Sequence, residues 1–197
     1  MRLYSSKWLL FRQWYVFVVM ELKTRRIVQT GVTKYPTDES TAQQLREATS
    51  WGRGPKYLIR DRDKKYATRF SVVALGSGIK EVKTPYRTPQ ANGICERFMG
   101  SLWRECLDHI LIHEGRHLER VVNEYTAYFN QDRPHQGIDQ RIPDRYDLTR
   151  SKPTRGQIIS KAILGDCITV IRAGCIWTDL PLCRSRSKQT RANNYYQ

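Results

Sequence analysis

Two carboxylates stand where a fold could aim them at one point. Asp61 follows the apolar run Tyr57-Leu58-Ile59 and sits in the polar stretch Arg60-Asp61-Arg62-Asp63-Lys64-Lys65. Glu96 lies 35 positions later, in a helical pattern opened by Pro89-Gln90-Ala91-Asn92-Gly93. On a helical wheel it falls at the border of the apolar face, beside Asn92, Gly100 and Trp103, so its carboxylate stays close to the core. A strand-end Asp and a helix-border Glu that converge suit Mg²⁺ or Mn²⁺, hard cations that take oxygen ligands and keep positions open for a phosphate. Two such ions about 3.5–4 Å apart would activate an attacking oxygen and stabilise a leaving one in phosphoryl transfer. Taken alone, the same residue types are also common on solvated surfaces, and the residues do not separate Asp61 from Asp63 as the ligand.

The elements that must position these groups follow from local patterning. Trp14 to Met20 (WYVFVVM) is aromatic and β-branched and predicts a buried strand; Thr24-Arg25-Arg26 reads as a turn and Ile27 to Val32 as the second strand of a hairpin. Thr37 is a helix N-cap, with Asp38 and Glu39 in the first turn and Ala42, Leu45 and Ala48 on one face. After a Gly/Pro loop from Trp51 to Lys56 come a strand over Tyr57–Arg60, a short helix over Phe70–Leu75 and a strand over Ile79–Val82. Pro85 and Pro89 make Thr84 to Thr88 an extended loop. Two longer helices follow. Cys95, Phe98, Met99, Leu102 and Cys106 mark the first, and Leu118, Val121, Val122, Tyr125 and Phe129 the second, which ends at Arg133-Pro134-His135. This order predicts an α/β domain over residues 1–150, with a mixed sheet flanked by helices. Past Pro153 the pattern fades, and residues 151–197 read as a basic, poorly ordered tail.

With 34 Lys and Arg against 19 Asp and Glu, the formal charge is +15, which implies a polyanionic partner. The expected partner is double-stranded DNA. Lys64, Lys65, Lys83, Arg87, Gln90, Asn92, Arg97 and Arg104 surround the carboxylates and are the candidates to hold its backbone; the plainer alternative is a solvated basic face. Neither a basic amphipathic helix nor a lipidation signal argues for a membrane, and the apolar run Tyr15–Met20 is too short to cross one. Trp8–Phe11 is too short for a signal-peptide core, so the expected location is cytoplasmic and DNA-associated. The five cysteines form no C-x-x-C pair. His109, His113 and His117 recur every four residues, but Ile110–His113 reads as a bridge between helices, so the three need not share a face.

Four words in order carry a resemblance. Tyr57-Leu58-Ile59-Arg60-Asp61-Arg62-Asp63-Lys64-Lys65-Tyr66 is the first, and Lys83-Thr84-Pro85-Tyr86-Arg87-Thr88-Pro89-Gln90-Ala91-Asn92-Gly93-Ile94-Cys95-Glu96-Arg97-Phe98 the second. Arg104 to His109 and Phe129 to Ile138 continue the match. From about Trp14 to Gly165 the chain resembles the integrase core of insertion-sequence (IS3-like) transposases and retroviral integrases. The resemblance implies an RNase H-like fold and a D-D-E triad whose second and third members are Asp61 and Glu96, both ligands of a two-metal Mg²⁺ or Mn²⁺ site, with Asp63 only a neighbour. It also implies cutting and joining of DNA strands at transposon ends and target, by a homo-oligomer or alongside an intact transposase.

One departure is at the front. The first triad Asp would fall near Arg2, yet no carboxylate precedes Glu21. The expectation is an N-terminally truncated core with an incomplete first strand, a remnant within Leu3–Leu10, no helix-turn-helix region, and lost or impaired activity. Three rivals stand beside it: a non-catalytic DNA-binding or dimerisation fragment, a transposon remnant without function whose odd sequence from Asp166 would come from a frameshift, and a metal-dependent nuclease.

Overall fold

The alternation of QWYVFVVM decides the architecture. In the computed structural model, which describes residues 2–7, 13–49, 54–85, 92–148, 158–165 and 167–173, this segment is strand β2, Gln13–Met20. Its central residues Val16 to Val19 are all buried, so both faces of the strand are covered. Because successive side chains point to opposite faces, Val16 and Val18 enter one apolar cluster while Phe17 and Val19 enter another. β1 (Arg2–Lys7) pairs antiparallel with β2 from Arg2 opposite Val18 to Lys7 opposite Gln13, and β3 (Ile27–Thr33) pairs antiparallel on the other side. β4 (Tyr57–Arg60) and β5 (Lys80–Lys83) pair in parallel, joined through helix α2, Thr68–Gly76. Among the described residues the antiparallel and parallel ladders are thus separate sheets, of three strands and two.

Helix α1 (Asp38–Ala48) starts where the sequence predicts: Thr37 Oγ1 accepts the Ser40 N–H at 3.2 Å. Asp38 does more than favour its own helix dipole. Its carboxylate accepts the N–H groups of Ala67 (3.0 Å), Arg69 (2.8 Å) and Phe70 (3.0 Å), capping the first turn of α2 from another element. Residues of α1, α2 and β4 fill the cluster on the Phe17 face, including Leu45, Leu58 and Phe70. The Val16 face is covered by α3 (Gly93–Glu105) and α4 (Gly115–Gln131), whose Phe98 and Phe129 rings meet edge to face at 4.8 Å. Gly115 opens α4 because a Cβ there would lie 2.4 Å from the Trp14 ring. No helix among the described residues is long and apolar enough to cross a membrane.

The ends of α3 and α4 are tied by Glu105, which accepts from Arg133 Nη2 (2.6 Å), Arg133 Nε (3.1 Å) and the Tyr125 hydroxyl (2.8 Å). Burial pushes the Glu105 carboxyl up, but the hydrogen bonds and the Arg133 and Arg104 charges outweigh it and hold the group below its ordinary value of 4.5. Such a group contributes stability that is present above the unfolded value and lost as pH falls through the lower folded one. Glu105→Gln is therefore expected to lose about 1–2 kcal/mol at pH 7. Thermal melts should show the gap to the unaltered chain closing as pH falls below 4.5.

By contacts the chain divides into one unit of residues 1–149 with 161–170 and another of 150–160 with 171–197. Everything above belongs to the first. Where the sequence pattern gave no regular element there are two strands, β6 (Ile158–Ile163) and β7 (Ile168–Ala173), and Ile163 and Leu164 join the core cluster of α4. Of the expected tail over residues 151–197, residues 151–157, 166 and 174–197 lie outside the described residues.

Candidate active site

The end of β4 is clamped before Asp61 leaves it. Arg60 is 3% exposed; its Nε bonds the Glu81 carboxylate of β5, and its Nη1 donates to the Asp61 carbonyl at 3.2 Å. The guanidinium also lies 5.7 Å from the ring centroids of both Tyr66 and Phe70. One residue beyond Asp61, Arg62 Nε donates to the Thr84 carbonyl at 2.8 Å, which ties the two strand ends together.

The helix reaches Asp61 through Asn92. That residue occupies the position before α3, is 7% exposed, and donates from Nδ2 to Asp61 Oδ1 at 3.2 Å. Glu96 is one helical turn further on, partly buried, on the face that Asn92 opens. The structure therefore brings Asp61 to the helix end that carries Glu96. Asp63 is used locally: it is exposed, accepts the Lys65 N–H at 3.1 Å and lies 3.5 Å from Lys65 Nζ.

Sequence reasoning missed Tyr66, which lies beneath this site. Burial pushes its hydroxyl far above its ordinary range, and the nearby Asp61, Asp63 and Cys95 add to the shift. The Tyr66 ring also packs against Phe70, edge to face at 5.2 Å, inside the core that β4 helps to fill. An apolar-then-Tyr pattern gives no local sign of this contact.

Around the carboxylates, Lys64 and Lys83 are exposed, while Lys65 Nζ packs 4.3 Å from the Tyr15 ring. Arg87 and Gln90 lie outside the described residues. Arg97 and Arg104 are exposed on α3, where they line a cavity with Arg133 and His135. His135 is buried, with Nε2 3.2 Å from the Phe129 carbonyl, and burial lowers its pKa, leaving it neutral at pH 7. Of the spaced histidines, His109 contacts the Arg104 carbonyl at 2.9 Å, and the His113 and His117 rings stack at 5.7 Å.

A divalent ion would find hard oxygen donors in Asp61 and Glu96, yet among the described residues no three His, Cys, Asp or Glu side chains form a group that could hold one. β1, paired along β2, reads Arg-Leu-Tyr-Ser-Ser-Lys and brings no acid.

Fold and site together resemble an integrase-type core. Residues 77–143, which include α3 with Glu96 and α4, match the family described as the integrase core domain. A chain of the simian T-cell lymphotropic virus intasome, in complex with the PP2A regulatory subunit B56 gamma, superposes with a TM-score of 0.61 at 14% identity over 83% of this chain. This chain spans only 62% of that one's length. The HTLV-2 integrase catalytic core domain in complex with magnesium (trimeric form) gives 0.59 at 15% identity, covering 74% of this chain and 91% of its own. The BIV integrase catalytic core gives 0.56 at 17%, covering 73% and 89%. Those cores have the RNase H-like fold, and this chain shares it. No curated protein matches the chain.

Proposed function

We propose that the chain is a DNA-integration core that holds duplex DNA over the face carrying Asp61 and Glu96, with strand cutting lost or strongly reduced for want of a third carboxylate. The observation that carries this reading is the Asn92–Asp61 hydrogen bond, which joins the strand-end acid to the helix bearing Glu96, while among the described residues no group of three His, Cys, Asp or Glu side chains forms a metal site. The net charge of +15 supplies the attraction for DNA, and Lys64, Lys83 and Arg97, exposed beside the site, would neutralise backbone phosphates. Asn92 would orient the Asp61 carboxylate; no chemical step follows from two acids alone. The HTLV-2 core is known in dimeric and trimeric forms, which supports self-association here as well.

The test combines labelled-duplex anisotropy with a Mn²⁺-dependent nicking and strand-transfer assay, using Glu96→Gln as control. Binding should weaken at least about tenfold as salt rises from roughly 50 to 200 mM, because condensed counterions are released on binding. No nicking above the Glu96→Gln background is expected. Nicking that Glu96→Gln abolishes would show a working enzyme and sink the impaired-core reading; absent binding at low salt would sink DNA holding itself.

A further inference from the structure

A second cluster of positive charge surrounds a cavity, with Arg97 shared between it and the face carrying Glu96. The cavity, of about 380 Å³, is bounded by α3, the end of α4 and the segment that follows it, and by the turn between β2 and β3. Four arginines line it (Arg25, Arg97, Arg104 and Arg133), and no Asp or Glu does. Arg133 is held by Glu105, whose charge also reaches Arg104. Arg25 and Arg97 make no ion pair among the described residues.

Arg25 has the most to gain from a ligand. Its Nη1 is shut off from solvent with no hydrogen-bond partner among the described residues. A buried donor left unpaired is costly, and more so when the group is charged. Its backbone is also held at φ 64°, in the left-handed region that a side chain with a Cβ enters only at a cost. Across the cavity, Gln140 is held at φ 59°. Each belongs to a hydrogen-bonded turn (Arg25 N–H to the Glu21 carbonyl at 3.0 Å, Gln140 N–H to the His135 carbonyl at 2.9 Å), so the turns present both side chains to the one cavity.

We propose that this cavity is a phosphate-binding pocket. Guanidinium groups match a phosphate oxyanion with planar, charge-assisted hydrogen bonds, and a phosphate at Arg25 would satisfy the orphaned Nη1. The volume exceeds what a lone phosphate needs and falls in the range of sites for small ligands, so the phosphate enters with part of what it is attached to. That phosphate comes either from a DNA backbone or from a small phosphorylated molecule. The DNA source rests on the function proposed above; the pocket itself does not.

The experiment measures Tm in inorganic phosphate against chloride at matched ionic strength, for the unaltered chain and for Arg25→Gly, Arg97→Gln and Lys80→Gln. Phosphate should raise Tm of the unaltered chain and of Lys80→Gln, whose exposed charge lies on β5 outside the cavity. The shift should largely vanish in Arg25→Gly and Arg97→Gln. In chloride, Arg25→Gly should melt no lower than the unaltered chain, because glycine relieves the left-handed backbone, so a lost response is not a lost fold. No phosphate-specific shift, or the same shift in Arg25→Gly, overturns the pocket. Labelled-duplex binding then separates the sources. Weakening of at least about fivefold in Arg25→Gly, with phosphate competing, assigns the pocket to DNA; unchanged DNA binding alongside a lost phosphate shift assigns it to a small phosphorylated ligand. Failure of DNA binding in every variant with the phosphate shift intact sinks the DNA-holding function and leaves the pocket standing.

Discussion

Arg60→Met removes about 3–5 kcal/mol of folding free energy, the loss expected when one partner of a buried ion pair is deleted. The methionine fills much of the same space, so the loss comes from the charge left behind. Glu81 faces Arg60 with its side chain only 15% exposed, and without the guanidinium it keeps a carboxylate that water reaches poorly. The change also removes the Nη1 bond to the Asp61 carbonyl and the contacts over Tyr66 and Phe70. For a chain of this length the loss corresponds to a fall in Tm of roughly 6–20 °C. The second half of the experiment identifies the cause. Arg60→Met combined with Glu81→Leu removes both charges and should recover most of the stability, because an apolar pair in place of a buried ion pair is often neutral or better. Urea midpoints of the two variants measure it; a double variant as unstable as the single would mean that packing, and not an orphaned charge, sets the loss.

Asn130→Ala is the second large effect, at about 2–5 kcal/mol. Asn130 is buried on α4, and its amide completes two hydrogen bonds to Ile27 of β3: Oδ1 accepts the Ile27 N–H at 2.9 Å and Nδ2 donates to the Ile27 carbonyl at 2.9 Å. Ile27 starts β3 next to the register shift at Val19 and Met20, so its backbone groups depend on the side chain. Alanine leaves a buried donor and a buried acceptor without partners and opens a small void against the strand. Asn130→Asp distinguishes these contributions. It keeps the shape and the acceptor but loses the donor to the carbonyl, and should remain nearly as unstable as alanine. Amide hydrogen exchange at Ile27 and Val28 reports the same event locally: protection there should fall more than in β2. Equal protection in Asn130→Ala would show that the amide does not hold the strand.

Much of the fold was legible because its signals repeat over short distances. WYVFVVM predicts a buried strand, and the structure uses its alternation to feed two cores. Thr37 predicts a cap and makes one. The apolar spacings over Cys95–Cys106 and Leu118–Phe129 give α3 and α4, with ends moved by only a few residues. In the candidate site, the chain order of Asp61 and Glu96 was readable, but not what joins them. The sequence marks Asn92 as a candidate DNA contact ahead of the helix, and gives no sign that it donates a hydrogen bond to Asp61. Ile158–Ile163 and Ile168–Ala173 were missed because six-residue strands in a basic, low-contrast stretch give too few alternations to stand out.

The sequence by itself determined the element order from β2 to α4, the faces that meet the core, the excess of positive charge and the two acids at strand end and helix border. Only the tertiary structure decided that Asp38 caps α2, that Asn130 completes β3, that Arg60 anchors the Asp61 strand to Glu81, and that Arg25 enters a cavity lined by arginines. Periodicity and capping act within a turn or two of chain, so their residue patterns recur and can be read. Each of these polar contacts is instead made once, across 21 to 103 positions of chain for the three hydrogen-bonded ones, and leaves no repeat in the sequence. A lone Asp, Asn or Arg looks the same whether it meets water or a distant backbone, and only folding brings it the partner that makes the difference.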